Sequence, residues 1–455
     1  MKLKNVDLYF LPVEMRVPLK FGAQVMDQVV CARAKVTLED SEGTISEGWG
    51  ETPLSVGWVW PSSLDYFERE EVLKDFCRQI AMALPASDFS DHPMESGYDF
   101  IEGPLHEMLH AVNSNRAQGA EMPHLASLVC FSLFDIAIHD AYAKAKGVGV
   151  YDLYTSEYMT RDLSQFFGDD KFAGQYPGDY LVKPTTKQLP VWHLVGGLDP
   201  ISEAELTGNE PEDGYPVLLR DWIKTDGLNC LKVKLRGNDA AWDYNRLVAI
   251  GDICEEENVD WLTTDFNCTV TEVEYVNAIL DQLRDEHPRT YQRILYVEQP
   301  FPYDLEANPI DVHSLSARKP LFMDESAHDW RFVKMGRELG WTGVALKTCK
   351  TQTGAILSLC WAKAHGMTLM VQDLTNPMLA QIPHVLLAAH AGTIMGVESN
   401  CMQFYPAASA PEEAIHPGLF KRNGGILDWS TVSGNGYGYI EDEVHRDLPD
   451  SVPLS

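Results

Sequence analysis

Positive charge is scarce in this sequence: 36 Lys and Arg stand against 67 Asp and Glu, a formal net charge of -31. Such a surface repels a polyanionic backbone, which excludes nucleic acid as the main partner. No block of five or six acidic residues occurs, so the charge is a dispersed, solvating one and not an acidic tail. Nine cysteines run from Cys31 to Cys401 with no Cys-x-x-Cys and no regular pairing. That odd, scattered set excludes a disulfide scaffold or zinc module and fits reduced thiols in a cytoplasmic protein. An uninterrupted apolar span of membrane length is missing too: residues 382–397 are few and include His384 and His390. Asp7, Pro12 and Glu14 break the stretch that follows Lys2 and Lys4, so neither a signal peptide nor a membrane partner is expected.

What is present is ordinary globular material, 45% hydrophobic, 10% aromatic and 23% charged over 455 residues. That length exceeds what one hydrophobic core usually organises, which predicts two domains or a barrel with additions. The N-terminal part reads as strands and then helices. Residues 29–38 alternate in part, Asp40, Glu42 and Gly43 make a turn, and residues 45–51 resume an extended pattern, predicting an antiparallel hairpin. Residues 63–84 and 125–145 have helical spacing, the second with Phe131, Leu133, Phe134, Ile136, Ala137 and Ala141 on one broad face. An α+β domain over residues 1–153 follows. Residues 154–189 read as an inserted loop and 86–119 as a second irregular stretch, and long ordered loops often lie near functional sites or subunit contacts.

From residue 190 short apolar runs alternate with helical segments. The runs are residues 191–194, 230–235, 261–266, 294–297, 321–323, 343–346, 368–371 and 393–397, each followed by enough chain for a helix. Eight β-then-α units in one series are what a (β/α)8 barrel requires, so the class is α/β and the barrel is assigned to residues 190–404.

Barrel enzymes carry their catalytic groups at the C-terminal ends of the strands. Here those ends hold Lys232 and Lys234 (LKVKLRG), Asp265 (TTDFN), Glu298 (YVEQP), Asp324 (FMDES), Lys347 (VALKTCK), Asp373 (MVQDLTNP) and Glu398 (GVESN). From Lys234 onward the steps are 31, 33, 26, 23, 26 and 25 residues, about one βα unit each. A single acid at a strand end is ordinarily a cap or a solvated loop residue, and a lone Lys-x-Lys is ordinarily surface. The argument lies in their arrival in register with the βα period.

Three neighbouring strands ending in Asp265, Glu298 and Asp324 would gather three carboxylates, which repel one another unless a cation joins them. Oxygen-only donors select a hard cation, Mg2+ or in its place Mn2+. Lysines flank the acids on both sides. Period-2 geometry puts Lys232 and Lys234 on one strand face. A like charge and a divalent cation both favour the neutral amine, so Lys234 is a candidate base near neutral pH.

Lys232-Val-Lys234, Asp265-Phe-Asn267, Val297-Glu298-Gln299-Pro300, Asp324-Glu325-Ser326 and Lys347 resemble the enolase superfamily in its muconate lactonizing enzyme subgroup, a superfamily in which a Lys or His base works with Mg2+. Gly48-Trp49-Gly50-Glu51 and Leu133-Phe-Asp135-Ile-Ala137 are similar to its capping domain and linker helix, and residues 424–442 to the segment that returns to the cap. The resemblance implies a modified, enolase-type barrel with an α+β N-terminal capping domain completed by the C-terminal segment, residues 405–455. It implies a small-molecule carboxylate substrate bound to Mg2+ on Asp265, Glu298 and Asp324, with Lys234 over one face and Lys347 over the other. Lys232 would be an electrostatic partner of the enolate oxygen or of Lys234. Asn267, Glu325, Asp373 and Glu398 would brace the ligands or meet the substrate. The cap loops near Phe21 and over residues 52–60 would close the mouth, with Trp58 and Trp60 stacking on substrate or packing on the rim.

Two bases on opposite faces permit racemisation or epimerisation, the reading preferred here. The same pair also serves a dehydratase or cycloisomerase acting on an acid sugar or related carboxylate. From another class, a catalytically silent member would bind a ligand or partner through the irregular stretches, against which stands the intact metal and lysine set. Dipeptide epimerases of the subgroup commonly carry Asp-x-Asp after the eighth strand, whereas this chain has Glu398-Ser399-Asn400, which points away from a dipeptide. No His stands at the seventh strand end, and His384 and His390 read as packed residues. A homo-oligomer is common among soluble enzymes, though nothing in the sequence demands one.

Overall fold

A computed structural model describes residues 1–22, 24–89 and 91–454. The N-terminal sheet has three antiparallel strands, β1 (Lys2–Phe21), β2 (Gln24–Glu39) and β3 (Ile45–Pro53). β2 and β3 are the predicted hairpin, turned where Asp40 Oδ1 accepts the N–H groups of Glu42 and Thr44 at 2.8 Å each. β1, not singled out in the sequence, pairs along the other side of β2 and loses register between Glu14 and Leu19.

Helix His124–Lys146 crosses this sheet at glycines. A Cβ on Gly50 would stand 2.0 Å from the Leu133 carbonyl oxygen, and one on Gly48 2.2 Å from that of Ala137. Gly50→Ala should push helix and sheet apart and cost about 1–3 kcal/mol, read from the urea midpoint. An unchanged midpoint would mean the layers separate freely. By length and composition this helix could cross a membrane, contrary to the expectation that no such segment exists, but its apolar window is wholly buried in the protein. Asp135 and Asp140 disguised it, and both are satisfied inside, by Thr353 N at 2.8 Å and by Trp49 N and Tyr437 N at 3.0 and 2.8 Å.

The stretch 86–119, expected to be irregular, is mostly helical: Pro93–Phe100 and His106–Asn113 are joined by a π-helical turn, Ile101–Leu105. Its prolines mislead. Pro93 opens the first helix, where a missing N–H costs nothing, and Pro104 is absorbed by the wider turn. Residues 154–189 contain short turns such as Leu163–Phe167 until the first barrel strand begins at Gln188. They are tied to the helical stretch by Glu95, whose carboxylate accepts the N–H groups of Thr160 and Arg161 at 2.7 Å each.

The predicted (β/α)8 barrel with an α+β cap is what the chain forms. Its parallel strands are β4 (Gln188–Val195), β5 (Cys230–Lys234), β6 (Trp261–Asp265), β7 (Ile294–Glu298), β8 (Leu321–Met323), β9 (Gly343–Leu346), β10 (Thr368–Val371) and β11 (Val397–Glu398). Each pairs with the next up to β10, and β11 pairs with β4; among the described residues no ladder joins β10 to β11, so the ring is nearly closed. β11 begins later than expected because Gly396, at φ +52°, turns against the Pro190 carbonyl just before it.

A short strand, β12 (Ile426–Asp428), pairs antiparallel with the start of β4, and the chain then returns to the cap. There Glu412 accepts from Arg33 at 3.2 Å and Arg446 at 2.8 Å, and Val452 N–H reaches Leu8 O at 2.8 Å.

Candidate active site

Alternate side chains of each barrel strand point inward. Trp192, Cys230, Tyr296, Phe322 and Met370 form an apolar floor, with the Tyr296 and Phe322 rings stacked at 4.2 Å. Two residues further along the same strands stand Leu194, Lys232, Glu298, Asp324 and Gln372, all buried. Asp265 lies opposite Lys234 and Glu298 in the β5–β6 and β6–β7 ladders. The ionisable groups thus occupy the storey above a dry floor, where each needs a partner.

Those partners are one another. Lys232 Nζ reaches Glu298 Oε1 at 2.7 Å, Glu398 Oε2 at 3.0 Å and Asp265 Oδ2 at 3.1 Å. Lys234 Nζ lies 2.5 Å from Asp265 Oδ2. Lys347 Nζ meets Asp324 Oδ2 at 3.2 Å and donates to Asp373 O at 2.9 Å. Burial would lower the Lys232 ammonium, but Glu298, Glu398 and Asp265 hold it well above its usual range. Lys347 is likewise raised against burial by Asp324. For Asp265, burial pushes up and is outweighed by Lys234 and Lys232, which hold the carboxyl well below the ordinary carboxylate range.

Glu298 behaves differently. Burial and then the Asp265 charge, with Asp324 adding to it, raise this carboxyl well above its usual value, despite Lys232. Burial, with Asp324 and Asp265, also raises Glu325. Asp373 is pushed up to about 7 by burial and Glu398. Four buried ammonium groups, Lys232, Lys234, Lys347 and Lys350, face six buried carboxyls, Asp265, Glu298, Asp324, Glu325, Asp373 and Glu398, a formal excess of two negative charges. One divalent cation would offset that excess, and an all-oxygen donor set suits a hard one. Among the described residues no three such groups stand in ready ligand geometry, because the acids are turned to the ammonium groups.

A cavity of about 40 Å³ opens over this storey, lined by Lys232, Lys234, Asp324, Lys347, Asp373 and Glu398 below and by Leu19, Phe21, Met26, Ser55 and Trp58 from the cap. Trp60 does not line it. It is buried in the cap at 1% exposure with the Arg116 guanidinium 4.8 Å from its ring, so of the two tryptophans one packs and one faces the mouth. Asn267 does not line the cavity and donates to Glu325 Oε1 at 3.2 Å. Glu398 is held by Lys232 and by Asn400 Nδ2 at 2.8 Å. His384 is packed against the Glu398 carbonyl at 2.6 Å, and His390 is stacked on Tyr151 at 4.1 Å.

Three residues to which the sequence assigned no role belong to the site. Lys350 stands one 3-10 turn beyond Lys347, on the same side, and donates to the backbone carbonyl and carboxylate of Asp324. Gln372, not Asp373, carries the inward parity of β10 and donates to Glu298 Oε2 at 2.5 Å, while Asp373 accepts the backbone N–H groups of Asn376 and Asn400. Gln299 Oε1 accepts Asp324 N–H at 2.8 Å and Ser326 Oγ–H at 2.7 Å, fixing the turn after β8. Counting inward positions from the strand register finds Gln372; nothing local marks Gln299.

No protein-family model matches the chain. Over 254 residues it is 27% identical to an aromatic dipeptide epimerase of Herpetosiphon aurantiacus, a match covering 54% of this chain and 66% of that protein, just under two thirds of its length. The 2-chloromuconate cycloisomerase of Rhodococcus opacus superposes with a TM-score of 0.62 at 16% identity, over 98% of this chain and all of that one. A dipeptide epimerase of Enterococcus faecalis, complexed with Mg and the dipeptide L-Leu-L-Tyr, gives 0.61 at 16% identity, over 96% and 99% of the two chains. At such identities the superpositions speak for the fold.

Proposed function

We propose that this chain, which has the fold of the enolase superfamily in its muconate lactonizing enzyme form, is a racemase or epimerase that removes the α-proton of a small carboxylate and returns it to the opposite face. The observation that carries the reading is the position of two lysines. Lys234 ends β5 and Lys347 follows β9, staves that stand across an eight-stave barrel from each other with one cavity between them. Lys234 Nζ takes the proton on its side, and Lys347 Nζ delivers one on the other. Lys232, buried among three carboxylates, stays an ammonium and keeps a fixed positive charge beside the substrate carboxylate.

Asp265, Glu298 and Asp324 would hold the divalent cation; their oxygen-only chemistry and the formal negative excess of the six buried carboxyls of the site fit it. When bound, the cation supplies a Lewis acid that offsets the negative charge developing on the substrate carboxylate. Mg2+ at about a hundred times its dissociation constant should add roughly 2.7 kcal/mol of stability, a few degrees of melting temperature, and Glu298→Gln should lose the increment. A melting curve that ignores Mg2+ would remove the metal from this reading.

Leu19, Phe21, Met26 and Trp58 make the cap side of the cavity apolar, and the Glu398 carboxylate is engaged by Lys232 and Asn400. This favours a carboxylate with an apolar, uncharged distal part, such as an N-acyl amino acid, over an acid sugar. The test is incubation in D2O with Mg2+ of acid sugars, hydroxy acids, dipeptides and N-acyl amino acids, followed by proton NMR. Retention of every α-proton across the panel would sink the proposal. Loss of water or ring closure in place of exchange would favour a dehydratase or cycloisomerase.

A further inference from the structure

We infer that Trp58 is the latch of a short lid, residues 55–59, and that the latched lid acts with Asp324 and the Asp373 carbonyl to seat Lys347 under its ring. The segment is anchored at both ends. Leu54 N–H donates to Val30 O at 2.9 Å, and the Trp60 carbonyl accepts from the Arg69 guanidinium. Between these anchors Ser55 lies in the left-handed region, φ 38° and ψ 55°, a conformation that a non-glycine residue holds only when its surroundings impose it. The single helical turn Val56–Val59 then carries Trp58 over the cavity, 8% exposed.

Two contacts hold the tip. The Trp58 indole N–H donates to Glu325 Oε1 at 2.9 Å, and the ring centre lies 5.2 Å from Lys347 Nζ and 5.7 Å from Lys350 Nζ. Glu325 is 5% exposed and its Oε2 has no partner, so the indole is one of the few donors this buried carboxyl has. Lifting the lid strips the donor from Glu325 and the aromatic face from both lysines in one movement. Closure, exclusion of water and the seating of Lys347 are therefore a single event. Trp58 acts through Lys347 and Glu325 as a positioning residue.

The consequence for turnover rests on the proton-transfer reading of the site; the lid itself does not. Hydrogen–deuterium exchange of a peptide spanning residues 54–60 in the substrate-free protein measures the latch directly. Trp58→Phe keeps a ring and removes the N–H, and Glu325→Ala removes the acceptor; each should speed exchange about tenfold. The double variant should be no faster than either single one, and Glu325→Gln, which keeps an acceptor oxygen, should stay close to the parent. In α-proton exchange, Trp58→Phe should act mainly on KM, whereas Trp58→Leu, which also strips the ring from Lys347, should lower kcat about tenfold. Exchange within twofold of the parent in Trp58→Phe and Glu325→Ala, or additive effects in the double variant, overturns the latch. If the parent protein exchanges no α-proton on any acid, the proton-transfer reading fails while the peptide measurement still decides the lid.

Discussion

Lys347→Ala should lose α-proton exchange on one enantiomer of a substrate by about 10²–10⁴-fold and keep it on the other, and Lys234→Ala should show the mirror image. The asymmetry follows from the barrel: each lysine reaches one face, and exchange with solvent needs only the base on that face. Reconstituting racemisation needs both. Proton NMR in D2O on each enantiomer separately makes the measurement. If both variants lost both enantiomers equally, one lysine would be the base and the other a charge partner. The elimination or cycloisomerisation reading would then replace racemisation.

Asp265→Ala should destabilise the metal-free protein by about 3–5 kcal/mol. The carboxylate accepts from both Lys232 and Lys234, and among the described residues Lys234 has no other ion-pair partner, so its removal leaves a buried ammonium uncompensated. The companion variant Asp265→Leu with Lys234→Met, which removes both partners and refills the volume, should recover most of the loss. Chemical denaturation in chelator distinguishes the two. Equal stability of Asp265→Ala and the parent would mean that the ion pairs are wet and that the cavity mouth stands open in solution. Acidic groups in binding sites are commonly a burden to stability; this one is predicted to be a support because its neighbours are cations in a dry barrel.

The site was legible to the extent that it follows strand register. Lys232, Lys234, Asp265, Glu298, Asp324 and Lys347 sit at strand ends about one βα unit apart, and alternation along a strand sends them inward as a set. The same alternation, applied one residue more strictly, would have chosen Gln372 over Asp373. Lys350 needed the 3-10 turn after β9, which a Thr-Cys pair does not announce. The stretch 86–119 was hidden by prolines at positions where helices tolerate them. Helix His124–Lys146 was legible from its spacing, but not the burial of its two acids, whose partners come from β3, from Thr353 and from the C-terminal tail.

Composition, period and the order of acids and lysines determined the barrel, an α+β N-terminal domain and the charged groups gathered at one end, since these depend on spacings within a strand or one βα unit; the capping role of that domain came from the resemblance. Tertiary structure decided which charge meets which. Lys232 is separated from Glu398 by 166 residues and Trp58 from Glu325 by 267. Pairs that remote are chosen only when the last strand returns beside the first and the cap docks on the rim. Ion pairing and lid contacts are therefore properties of the assembled barrel and cap, and no local segment encodes them.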